Sequence, residues 1–199
     1  LAGLVLELAA WGVPHPEDLR WMDTPDPVQV RSARDLLKRI GGLDAHDRIT
    51  PHGTAMTGIG LHPRLAHMII RGAEKRLGFT ASLLAALVSE RDIIGFDRAG
   101  SGWVLDPDIR LRLEVLEKIM KRRPVSVPGG TVKTRLARRV IRAARMMEKT
   151  IPQCKGSGNS SGRVDIEAAG SLLASGFPDR IARRRDSGGQ TYVMASGKG

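Results

Sequence analysis

The stretch LLKRIGGLDAHDRITPHGTAM, residues 36–56, indicates the fold of the first 60 residues. It closes an amphipathic helix, because the apolar stripe that reaches Ile40 is followed by the helix-stopping pair Gly41–Gly42. Leu43 to Ile49 can form a short hairpin, and Thr50–Pro51 supplies an N-cap with proline at the first position of the next helix. The order helix, small β-wing, helix predicts a winged-helix domain, which we assign to residues 1–60.

Residues 61–176 carry successive helix signals and predict a helical bundle. Pro63 begins one helix, which Gly78 closes. Thr80 caps a second helix that is apolar on nearly every side and is therefore expected to be buried. The glycine- and serine-rich stretch at 156–162 predicts a flexible linker inside this region.

Residues 177–199 predict a β-hairpin, with strands at 181–185 and 191–195 on either side of turn-forming residues. If Ile181 faces a core, the alternation of side chains along a strand turns Arg184 toward solvent. The fold class expected for the whole chain is mainly α, a winged helix followed by a bundle and ending in this hairpin.

Positive charge is concentrated in one part of the chain. The 199 residues hold 32 Lys and Arg against 21 Asp and Glu, a net charge of +11. Residues 118–155 carry 12 basic and 1 acidic side chains, whereas residues 1–60 carry 6 basic and 8 acidic. A surface charged only for solubility would intersperse the two signs, so the basic stretch is a candidate anion-binding surface.

Within that stretch two sets of residues recur at helical spacing, one apolar and one basic. A helix of this pattern can pack on one side and expose a row of cations roughly 20 Å long, enough to follow several phosphates of a single strand. A solvated face, or a face paired with acidic groups elsewhere in a larger protein, is the alternative. The apolar set is Val132, Leu136, Val140, Ala143 and Met147, and the proposed nucleic-acid-binding set is Arg135, Arg138, Arg142, Arg145 and Lys149.

The sequence offers no motif for catalysis, for a cofactor or for a metal. No phosphate-binding G-x-x-x-x-G-K-[ST] loop occurs, and we assign no catalytic residue. His62 and His67 are five residues apart and share no helix face, so capping and surface roles are expected for both and for His52. Glu90 and Asp92 follow a buried helix, where structural ion pairs are expected rather than acid–base chemistry.

Composition also bears on the cellular compartment. The single cysteine, Cys154, can form no internal disulfide, which favours a reducing compartment and hence the cytoplasm. No apolar run approaches the roughly 20 residues that span a bilayer, so no membrane partner is expected. The chain opens on Leu1 in what reads as a helix entered midway, and we expect a segment of a longer protein.

Seven pieces of the sequence resemble, in order, the C-terminal accessory region of HrpB-type ATP-dependent helicases of the DEAH/RHA class. Each piece is modest alone, and the specificity lies in their order. Near the end, Ser196 departs from the asparagine usual in that family. The pieces are LVLELAAWGV (4–13), DLRWMDTP (18–25), LLKRIGGLD (36–44), ITPHGTAM (49–56), LHPRLAHMI (61–69), ALVSERD (86–92) and FPDRIARRR (177–185).

The resemblance implies that residues 1–60 are a winged helix, 61–176 a ratchet-like helical bundle and 177–199 the start of an OB-like domain. It implies two upstream RecA-like motor domains that use ATP and magnesium, and a channel for single-stranded RNA or DNA that the accessory domains close. The motor is absent from these residues, so no cofactor is expected here. The basic helix and Arg184 are then expected to contact the strand.

Two other functions fit parts of the sequence. A non-catalytic winged-helix DNA-binding regulator would use the early hairpin as its wing, although the negative balance of residues 1–60 opposes this function. A scaffold for an acidic protein fits the positive charge equally well.

Overall fold

The computed structural model describes residues 1–13, 15–96, 106–151, 162–185, 191–195 and 197. Within them the chain is mainly α-helical, as the sequence predicts, with eight α-helices and two small antiparallel strand pairs. Cys154 and nearly all of the predicted 156–162 linker lie outside the described residues. In chain order the elements are α1 (Ala2–Ala10), α2 (Pro27–Arg39), α3 (Pro51–Thr57), α4 (Pro63–Glu74), α5 (Gly78–Ser89), β1 (Ile94–Phe96), α6 (Ile109–Met120), β2 (Gly130–Val132), α7 (Thr134–Thr150), α8 (Ala169–Gly176), β3 (Ala182–Arg184) and β4 (Tyr192–Met194).

The chain forms two compact units. One comprises Leu1–Met68 with Ala174–Gly199, and the other comprises Ile69–Leu173. The helices α4 and α8 each contribute residues to both units. The three predicted domains, 1–60, 61–176 and 177–199, stay predictions.

In the first unit α1 packs against α2 and α3. The Asp26 side chain caps α2 by accepting a hydrogen bond from the Val28 N–H at 2.8 Å, and Pro27 occupies the first helical position. After α2 the chain turns at Gly41, whose φ of 75° lies in the left-handed region that glycine adopts without strain. Leu37, buried completely, is the centre of the α2 stripe that the sequence predicts.

The segment between α2 and α3 is tighter than the expected wing. Leu43 and Ile49 form a single antiparallel bridge, so the predicted hairpin is reduced to one pair. Thr50 caps α3 as predicted, accepting a hydrogen bond from the Gly53 N–H at 2.9 Å. A β-carbon on Gly53 would lie 2.2 Å from the carbonyl oxygen of Gly42, so this close approach of helix and turn requires glycine.

The second unit is built around α5, which is buried on nearly every side, as predicted, and packs most extensively against α7. Thr80 is not its N-cap, and Gly78 does not close α4. Arg76, at a φ of 60°, turns the chain after α4, so that α5 already begins at Gly78. The hydroxyl of Thr80 instead accepts a hydrogen bond from the Asp165 N–H at 3.0 Å.

The predicted hairpin is present as β3 and β4, which pair antiparallel with Arg184 opposite Tyr192. Within this chain half of Ile181 is exposed, so the condition on which the predicted orientation of Arg184 depends is not met among the described residues. Among the described residues the two short strands pair only with each other, and all of β3 is exposed. None of the described helices combines the length and hydropathy that crossing a bilayer requires.

Candidate nucleic-acid interface

The helix α7 carries the predicted row of cations, but its buried face differs from the predicted apolar stripe. Ala137, Val140, Ile141 and Ala144 are buried, and of the predicted set only Val140 is fully buried. The small side chains of alanine allow α7 to lie close against α5, whereas Leu136, Ala143 and Met147 lie at the margin of the contact. The packing face is therefore turned by about one residue from the predicted one.

The predicted cations lie on the opposite side of α7 and are all exposed. At about 100° per residue they occupy an arc of about 80°, and from first to last they extend about 20 Å along the helix axis. Within the described residues none of them forms an ion pair, and α7 has no acidic residue in its first turn. These residues, called here the basic stripe, are Arg135, Arg138, Arg142, Arg145 and Lys149.

A sixth cation of α7, Arg139, lies beside the basic stripe and is neutralised. Its Nε donates to Glu90 Oε1 at 3.0 Å, and its Nη2 contacts Glu90 Oε2. This two-point contact raises the pKa of Arg139 above its usual value. The prediction of a structural ion pair for Glu90 is confirmed, and its partner lies 49 positions along the chain.

An open groove of about 860 Å³ follows the N-terminal half of α7. Its charge suits an extended polyanion better than a small ligand, because its cations follow one another along the helix. The groove is lined by Lys133, Thr134, Arg135, Leu136, Arg138, Arg139 and Arg142.

The start of α7 is held by the β1–β2 pair. The Lys133 N–H donates to the Ile93 carbonyl at 2.8 Å. Next to Ile93, Asp92 forms an ion pair with Arg112 at 2.8 Å, which confirms the structural role predicted for this carboxylate. Partial burial by itself raises the pKa of Asp92, but hydrogen bonds from Arg112 and from the Ile94 N–H outweigh it, so the pKa lies below its usual value.

This region does not provide a phosphate-binding loop, although β2 leads directly into α7. Gly129 precedes β2 and Gly130 is paired within it, so only Lys133 lies between strand and helix. A loop that wraps a nucleotide phosphate needs several backbone N–H groups between the two elements. The connection at Lys133 therefore does not form such a loop.

The histidines show one contact that the sequence did not reveal. His52 Nε2 and His67 Nδ1 lie 2.8 Å apart, with the rings edge to face. His62 has the expected capping role, since its Nδ1 accepts a hydrogen bond from the Arg64 N–H at the start of α4. Among the described residues no three potential ligands lie together as a metal site would require.

Arg184, the remaining predicted contact residue, lies in the first unit, whereas the basic stripe lies in the second. It is exposed in β3, and so are its neighbours Arg183 and Arg185. Two arginines of β3 and the one that follows it are therefore exposed, not Arg184 alone as the alternation predicted.

Comparison with known proteins identifies relatives among helicases. The chain is 28% identical over 200 residues to the ATP-dependent RNA helicase HrpB of Escherichia coli (strain K12), covering 100% of this chain and 20% of that protein. A shorter match, 29% identical over 68 residues, links 34% of the chain to 6% of the ATP-dependent RNA helicase DEAH13 of Arabidopsis thaliana. No family model matches the chain.

Solved structures agree with this relationship. The chain resembles the crystal structure of the Escherichia coli DEAH/RHA helicase HrpB with a TM-score of 0.67 and 28% identity, and a second structure of E. coli HrpB, described as a DExH-box NTPase, with 0.64 and 27%. Each match covers 99% of this chain and 20% of the other. Nearly all of this chain is matched, but it spans only about a fifth of the length of these relatives. The matches support an accessory region of a helicase.

Proposed function

Because this chain is homologous over its whole length to the Escherichia coli DEAH/RHA helicase HrpB, we propose that it is the accessory nucleic-acid-binding region of an ATP-dependent RNA helicase. In this proposal it closes the single-strand channel beside RecA-like motor domains that lie outside these residues. The first helices act as a winged helix, the second unit contributes the ratchet-like bundle, and β3–β4 begins an OB-like domain.

The observation that carries the proposal is the basic stripe itself. Five exposed cations on one helix face, without ion-pair partners among the described residues, present a positive row to a polyanion. Binding of a phosphate backbone to such a row releases counterions and depends little on sequence, as a translocating helicase requires. Arg184 adds a further proposed contact from the hairpin.

ATP and magnesium are assigned, in this proposal, to the motor domains. The strand-to-helix connection at Lys133 does not fit a nucleotide, so no step of ATP hydrolysis is attributed to the described residues. The compartment proposed for the whole protein is the cytoplasm.

The test is a salt titration of binding. Fluorescence anisotropy of a labelled single-stranded RNA, measured with the whole chain at several salt concentrations, gives the slope of log K against log salt. The double variant Arg138→Glu/Arg142→Glu should bind all sequences more weakly and reduce the slope by about 1.4, since each contact with a single strand contributes about 0.7.

The matched control is Arg31→Glu/Arg39→Glu on α2, where two exposed arginines undergo the same change of charge. An equal loss in both double variants would show a response to net charge and would reject the basic stripe as the contact surface. If the chain bound duplex DNA more strongly than single-stranded RNA, the winged-helix regulator would be favoured. If it bound an acidic protein more strongly than single-stranded RNA, the scaffold would be favoured.

A further inference from the structure

Glu90 lies at an unfavourable place for a carboxylate, directly after the last turn of α5. The C-terminal end of a helix carries partial negative charge, which disfavours an acidic side chain there. The Glu90 side chain is only 22% exposed, and Arg139 compensates it with two hydrogen bonds in the parallel fork that arginine and carboxylate form best. The pair therefore joins α5 to the edge of the basic stripe.

Arg139 lies next to two arginines of the basic stripe. Arg139 follows Arg135 by four residues and precedes Arg142 by three, so on a helix surface it neighbours both. It also lines the same groove as these two arginines. At about 100° per residue it lies at the edge of the basic stripe, about 40° around the helix from Arg135.

We propose that Glu90 withholds Arg139 from the bound strand and thereby confines the phosphates to the basic stripe. The inference rests on the proposed function and adds a residue that determines the path of the strand. Glu90 occupies Nε and Nη2 of Arg139, so a phosphate would compete with this two-point ion pair for the guanidinium and would meet the negative charge of Glu90. Along the stripe it meets cations that no described carboxylate compensates.

Four single variants of the whole chain test this proposal through the salt slope of single-stranded RNA binding. Arg138→Gln should reduce the slope by about 0.7, the value for one phosphate contact. Arg139→Gln should leave the slope unchanged, because this arginine makes no phosphate contact while Glu90 holds it. Glu90→Gln should increase the slope by about 0.7, because Arg139 becomes available.

Glu114→Gln is the matched control for Glu90→Gln. Glu114 is exposed on α6, lies in the same unit as Glu90 and forms no ion pair among the described residues. Its replacement by glutamine changes the net charge by the same amount as Glu90→Gln. It should leave the slope unchanged. In the double variant Glu90→Gln/Arg139→Gln the slope should return to that of the unmodified chain.

Two results would overturn the proposal. One is a loss of slope in Arg139→Gln equal to that in Arg138→Gln, and the other is an equal response to Glu90→Gln and Glu114→Gln. Far-UV circular dichroism checks that each variant is folded. If Glu90→Gln is unfolded, the comparison of the salt slopes of Arg139→Gln and Arg138→Gln still tests the proposal. Absence of salt-dependent RNA binding by the unmodified chain would instead reject the proposed function.

Discussion

Arg64 and Asp179 lie 115 positions apart in the chain and form a two-point ion pair, with Arg64 Nη2 donating to Asp179 Oδ2 at 2.8 Å. Arg64 also donates to the Gly176 carbonyl at 3.1 Å, and its guanidinium lies 5.3 Å from the centre of the Phe177 ring. The Arg64 side chain is only 14% exposed. These contacts fasten the start of α4 to the turn that precedes β3, within the first unit.

Removing the carboxylate from this pair should destabilise the first unit in a pH-dependent way. The hydrogen bond from Arg64 holds the pKa of Asp179 below its usual value. The stabilisation is therefore fully present above about pH 4 and is lost as the pH falls through the lower pKa of the folded state. Asp179→Asn should cost about 2 kcal/mol at pH 7, and the difference should shrink in acid.

Urea unfolding at pH 7 and at several pH values below 4 measures this difference. Asp23→Asn is the control, because Asp23 is exposed and forms no ion pair among the described residues. If Asp179→Asn lowers the free energy of unfolding by the same amount at every pH, the loss does not come from the charge of Asp179.

The ion pair of Asp92 and Arg112 should contribute more to stability, because the Arg112 side chain is only 8% exposed. Asp92→Asn leaves a nearly buried guanidinium without its carboxylate, and we expect a loss of about 3 kcal/mol. Arg112 keeps its hydrogen bonds to the carbonyls of Asp106 and Asp108, which limits the loss. Thermal unfolding measures it, with Glu114→Gln as the exposed control, and a loss below about 1 kcal/mol would contradict the expectation.

Two glycines of one short segment should respond to alanine in opposite directions. A β-carbon at Gly53 would lie 2.2 Å from the Gly42 oxygen, so α3 must move away from the turn, and we expect a loss of at least about 2 kcal/mol. At Gly58 the same atom meets nothing closer than 3.6 Å, and the helical φ of −62° suits alanine. Gly58→Ala should therefore be neutral or stabilise by about 0.5 kcal/mol. Chemical denaturation of both variants measures the sign of each change in the free energy of unfolding.

The sequence predicts well what local patterns determine. The stripe around Leu37, the cap at Thr50 and the exposed basic stripe all depend on residues within a few turns of each other. Contacts between distant residues leave no such signal, so the pairs Arg64–Asp179 and His52–His67 could not be found from spacing. The sequence predicts a strand at 181–185, of which the structure forms Ala182–Arg184, but the local pattern does not show that Ile181 is half exposed.

The register of α7 shows how packing decides between two nearly equivalent patterns, and it supplies the last prediction. The sequence pattern favours Ala143 as a buried position, whereas the structure buries Ala144 completely and leaves Ala143 half-buried. Ala144→Leu should overpack the contact with α5 and cost about 2 kcal/mol, while Ala143→Leu should cost less than about 0.5 kcal/mol. Because the two residues are adjacent and the substitution is the same, helix propensity cancels in the comparison. Thermal unfolding measures both, and the reverse order would mean that α7 is turned by one residue, which would shift the cations of the basic stripe by about 100° around the helix.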